Sequence, residues 1–191
     1  MTGTRASLFL LTAIVGMTLP SQSHANLCNE KDWNKALTSQ QILDHRYNLL
    51  ASQYNSWLPN FKQAIFLHQE FSRPELDYLW RNNNNDFQTT LTMQLESAEK
   101  ATRDIDSLLA LLDNTPPYIQ KQWDKWYAIG EDCKQEGLMS NFFATELYLK
   151  ANKELNIEII NLRQYLVTMR HYYEFEVVTL TEVMQTTEEK P

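Results

Sequence analysis

Glycine and strict alternation are what this chain has least of. Four glycines occur in 191 residues, and only Gly130 and Gly137 lie beyond residue 25. A phosphate-cradling loop needs glycines clustered within a few residues, so P-loop and dinucleotide-binding chemistry are excluded. No stretch alternates apolar and polar residues by twos between turn signals, which excludes a sheet. Histidine is nearly as scarce, since beyond residue 25 only His45, His68 and His171 occur. That excludes a histidine-rich metal centre, and no CxxCH, HExxH, GxSxG or Glu-x-x-His spacing is found. No catalytic residue, cofactor or metal is therefore expected, and the chain does not read as an enzyme. Positive charge is also in deficit, with 17 Lys and Arg against 24 Asp and Glu and a formal net charge of -7. No run of Lys and Arg stands out, so nucleic acid and anionic lipid surfaces are not expected partners.

What is there begins with a leader. Arg5 precedes an apolar run from Ala6 to Leu19, too short to span a bilayer, and Pro20 is followed by the small-x-small pattern Ser23-His24-Ala25. Residues 1–25 read as a signal peptide with Asn26 as the new N-terminus. No later segment is apolar enough to cross a membrane, so the mature product is expected in the periplasm or outside the cell. Arg5 is the only charge in the leader, and cleavage moves the net charge from -7 to -8.

Two cysteines remain, Cys28 and Cys133. In an exported chain an even count reads as a disulfide, which would fasten the start of the mature chain to the helix before the last one.

The rest of the chain is helical in period. From Ser140 to Thr187 there is neither proline nor glycine, and the stripe Tyr148, Ala151, Leu155, Ile159, Leu162, Leu166, Met169, Tyr173, Val177, Leu180, Met184 keeps three- and four-residue steps from Leu155 onward. One long, coiled-coil-like C-terminal helix is expected, and other segments must line it because so long a rod cannot bury itself. Upstream, Thr38 with Gln41 suggests a helix start after a short polar lead-in, and Pro59 a stop, with Asn60 capping a second helix through Phe71. Ser72-Arg73-Pro74-Glu75 restarts that helix. Asn82 to Asn85 favours a loop, after which Asp86 caps a helix striped by Leu91, Leu95, Ala98, Ile105 and Leu112. Pro117 to about Gln135 is an aromatic helix ending before Gly137. The expected fold is an all-α bundle of about five helices forming a single domain over 26–187, with a frayed acidic tail at 188–191.

Two surfaces are candidate sites. The aromatic helix reaches only to about Ile160 along the long one, so Tyr165, Tyr172, Phe175 and Val183, off the main seam beyond it, are candidates for a protein-partner or homo-oligomer surface. Trp57, Phe61, Trp80, Trp123 and Trp126 are candidates for a lipid or glycan groove. His68 beside Glu70, and His171 beside Glu174, are expected as a satisfied core histidine and a surface pair. Leu37-Thr38-Ser39-Gln40-Gln41 resembles, over five residues, the LTxxQ motif of small periplasmic stress chaperones of the Spy and CpxP type. That resemblance implies an exported, helical, chaperone-like protein, although the acidic balance and the cysteine pair depart from that family. The expected function is an exported interaction or adaptor protein, an accessory of an envelope or secretion assembly or a chaperone-like relative. The alternative is a small-ligand binder.

Overall fold

The computed structural model describes residues 26–82 and 85–185, so the leader and the acidic tail lie outside the described residues. The elements are α1 (Glu30–Gln63), α2 (Leu67–Glu70), α3 (Arg73–Arg81), α4 (Asn85–Asp113), α5 (Pro116–Gln135) and α6 (Met139–Gln185). The fold is all-α, and no strand occurs among the described residues. Four helices are long and two are short.

α6 is the spine. α5 packs along its first part and α4 antiparallel along its second, while α1 lies against α5 and α6, and α2 and α3 close the far end. The central core joins Leu43 and Leu50 of α1, Ile105, Leu108 and Leu112 of α4, and Ile159, Leu162, Leu166 and Met169 of α6. At the far end Leu76, Leu91, Leu180 and Val183 form a second cluster. The seam beyond Asn161 is thus covered by the chain's own elements.

Two expected boundaries are displaced. α1 begins at Glu30 rather than Thr38, because Asn29 accepts from the Asp32 amide at 3.0 Å and Glu30 and Asp32 place negative charge in the first turn. Thr38 is mid-helix, where its hydroxyl donates to the Asn34 carbonyl at 2.9 Å. Pro59 lies inside α1 rather than ending it. A proline removes one ladder bond, and near a helix end few turns remain to be disturbed. The helix stops at Gln63, the chain runs extended through Phe66, and the expected second helix shrinks to four residues. The restart at Ser72 is as expected: the Glu75 carboxylate accepts from both the amide and the hydroxyl of Ser72 at 2.7 Å, which holds its carboxyl below the usual range.

Cys28 and Cys133 are joined, and the Leu27 amide donates to Asp132 at 2.6 Å beside the bridge. Trp126 stacks on Tyr148 at 4.1 Å and takes Trp33 edge-on at 5.2 Å, so the bridge closes over an aromatic cluster. The turn between α5 and α6 is set by Gly137 at φ 75°, with the Leu138 amide donating to Cys133 and the Gly137 amide to Lys134.

Gly130 sets how closely α5 approaches α6. A Cβ built there would stand 2.5 Å from Thr145 Oγ1, and Thr145 is buried with its hydroxyl donated to the Phe142 carbonyl. Helix propensity favours alanine by about 1 kcal/mol, whereas overpacking costs about 1–3 kcal/mol. We expect Gly130→Ala to lower the melting midpoint and the double change Gly130→Ala with Thr145→Ala to recover most of the loss. Thermal denaturation of the two variants checks this.

Candidate functional site

α6 carries a buried apolar seam and a scatter of exposed apolar residues. The seam repeats at sevens through Asn152, Ile159 and Leu166 to Leu180, and through Leu162, Met169, Glu176 and Val183, as in a coiled coil. Among the exposed residues, Leu147 and Phe175, Ile157 and Val178, and Ile160 and Val167 are each separated by multiples of seven, and they lie across the helix from the seam. From Leu147 to Val178 this face runs about 45 Å. Glu146, Lys150, Lys153, Glu154, Gln164, Thr168, His171 and Glu174 interrupt it, and Phe175 meets the His68 ring edge-on at 4.8 Å.

The residues expected as a partner surface divide. Tyr165 and Phe175 are exposed, Tyr165 stacking on Tyr54 at 6.0 Å. Tyr172 is half-buried against Phe61 and Phe66, each at 5.6 Å. Val183 is fully buried in the far-end core, which corrects its expected exposure: α3 packs where the sequence suggested open helix. The five residues expected as a ligand groove are not brought together, because they sit at different heights along the spine. Trp57 and Phe61 pack on the central core, Trp80 on the far-end cluster, and Trp126 is fully buried at the disulfide end. Trp123 flanks an open recess of about 520 Å³ between α5 and α6, shared with Pro116, Gln120, Asn152 and Asn156, and Trp57 flanks a separate one of about 280 Å³ beside Asn60 and Lys100.

Beneath the recess at Trp123 runs a buried amide network. The indole N–H of Trp126 can only donate, so it orients Gln40 Oε1 towards itself at 3.1 Å. Asn152 Nδ2 donates to the same oxygen and to the Tyr148 carbonyl, both at 2.9 Å, leaving Asn152 Oδ1 buried without a donor. A polar group at a seam position pins the register of α6 against α1 and α5.

His68 is the satisfied core histidine expected, whereas His171 does not make the expected surface pair. His68 is satisfied by Glu176, with Nδ1 to Oε2 at 2.6 Å, and Glu174 takes Arg170 rather than His171. Glu176 is wholly buried and also accepts from the Leu67 amide at 2.8 Å, the His68 amide at 3.0 Å and Gln94 at 3.0 Å. With the other donors converging on the carboxylate, His68 Nδ1 carries the proton. One side chain of the spine thereby caps α2, which is too short to hold itself. The sequence hid this role because Glu176 is adjacent to nothing it binds.

A cationic groove was also missed. Lys35 and Arg46 of α1 and Lys121 and Lys125 of α5 line one recess, against the expectation that positive charge is dispersed. Each helix contributes only two, so no run appears in the sequence. Among the described residues no three His, Cys, Asp or Glu side chains are grouped to hold a metal, and no helix is long and apolar enough to cross a membrane. Compared with family models, curated proteins and solved structures, the chain matches none.

Proposed function

We propose that this chain is an exported interaction or adaptor protein, an accessory of an envelope or secretion assembly, that presents the outward face of α6 to a helical protein partner. The observation that carries the reading is the exposed apolar group on the outward side of α6. A solvated helix face is ordinarily charged, whereas here Ile157, Ile160, Val167 and Val178 stand exposed among polar residues on the outward side of α6. Export is supported by the leader pattern and suits the Cys28–Cys133 pair.

Ile157, Ile160 and Val167 sit at the middle of the face, where binding energy concentrates. Replacing all three with glutamine is expected to weaken cross-linking to an envelope partner by tenfold or more, while the melting midpoint stays within about 2 °C, since exposed substitutions cost little. Cross-linking yield in an envelope fraction and thermal denaturation are the two readouts. Undiminished cross-linking by a folded triple variant ends the reading.

A further inference from the structure

The cationic groove between α1 and α5 has a feature that charge bookkeeping does not explain. The chain is acidic, yet four cations converge on a recess of about 470 Å³ whose lining contains no carboxylate. Ser39, Ile42, Leu43 and Tyr118 complete the walls, and Ile42 and Tyr118 are more than half exposed. Arg46 lies over the Tyr118 ring at 5.1 Å, and the Lys125 ammonium donates to Ser39 Oγ at 3.1 Å.

Gathering like charges is unfavourable. Burial, then the neighbouring Lys35 and Lys121, push the Lys125 ammonium below its ordinary value, and only Asp32 acts the other way. Asp32 accepts from Asn29 Nδ2 at 2.9 Å, and Asp44 and Asp124 accept from Gln40 and Gln120 on their own helices. An anion placed among the ammonium groups would relieve the repulsion, and the exposed Ile42 and Tyr118 would cover an apolar body attached to it.

We propose that this groove binds a free amphiphilic anion, a carboxylate or phosphate head on an alkyl or aromatic body. The head lies between Lys121, Lys125 and Lys35, and the body lies along Ile42 and Tyr118. The recess has the volume of a small-molecule site, about 300–1,000 Å³ in general. A free ligand is favoured over a membrane surface, because the acidic body as a whole repels an anionic bilayer while a single anion feels mainly the groove. The site is independent of the α6 face, since its lining belongs to α1 and α5.

The test is calorimetric titration of the purified chain with dodecanoate below its aggregation concentration, beside dodecyl maltoside, inorganic phosphate and phosphatidylglycerol vesicles. One-to-one binding of dodecanoate is expected. Lys121→Gln with Lys125→Gln should weaken it tenfold or more, and Ile42→Ser severalfold, with helicity and melting unchanged. Should the lysine pair disturb folding, Lys35→Gln supplies the second charge variant and is expected to weaken binding severalfold. The proposal is overturned if dodecyl maltoside or phosphate binds as tightly as dodecanoate. It is overturned equally by capture on vesicles without monomer binding, by no binding at all, or by folded variants that bind like the parent.

Discussion

Replacing Glu176 with alanine is expected to cost the fold about 3–5 kcal/mol, because a wholly buried carboxylate that accepts several hydrogen bonds is lost at once. The loss is large because one carboxylate satisfies the Leu67 and His68 amides, the His68 ring and Gln94, and each donor left buried without an acceptor costs about 1–3 kcal/mol. For a chain of this length, the melting midpoint should fall by roughly 10 °C or more. Glu174→Ala is the control, because that side chain is partly exposed and pairs only with Arg170 on its own helix; its change should stay within about 0.5 kcal/mol. Glu176→Gln should fall between, since one oxygen remains to accept while the new amide faces donors. Urea denaturation of the three variants checks the order. Equal stabilities for Glu176→Ala and Glu174→Ala would mean that Glu176 is not the cap of α2.

Opening the Cys28–Cys133 bridge is the second large effect. The sequence separation is 105, and in the chain-entropy account closing such a loop is worth about 4–5 kcal/mol. The folded state should survive reduction in outline, because the central core of α1, α4 and α6 lies away from the bridge and makes no use of it. What loosens first is the start of α1, where Leu27 and Trp33 pack over Trp126. We therefore expect Cys28→Ser with Cys133→Ser to lower the urea midpoint strongly, and Trp33 and Trp126 fluorescence to change at lower urea than the helical circular dichroism. Coincident transitions with an unaltered midpoint would show that the bridge adds nothing beyond the packing around it. Reductant added to the parent chain should reproduce the double variant.

Periodicity alone was enough for the four long helices, the absence of strands among the described residues and the spine role of α6. Apolar residues at three- and four-residue steps have no other regular conformation in which to share a face, and the stripe from Leu155 to Leu180 is found at the seam where the other helices meet. The bridge was legible for a similar reason: two cysteines behind a leader have one intramolecular partner each. Local capping chemistry was legible at Ser72 but misleading at Thr38 and Pro59. A cap signal competes with the helix on either side of it: Asn29 together with the packing of Ala36, Gln40 and Leu43 kept α1 continuous through Thr38, and Pro59 lies where few turns remain to be disturbed. Relations between helices were decided only by tertiary packing. Val183 moved from expected surface to core, the five aromatic residues of the expected groove separated along the spine, and Glu176 found His68 at a sequence distance of 108. The cationic groove was invisible for the same reason, since two lysines of α5 and a lysine and an arginine of α1 become one electrostatic site only when side-chain burial sets how the two helices rotate and slide against each other. Helical period tells which face of a rod is buried, but the identity of the neighbour across that face is set by shape and volume along the whole core, which no local pattern encodes.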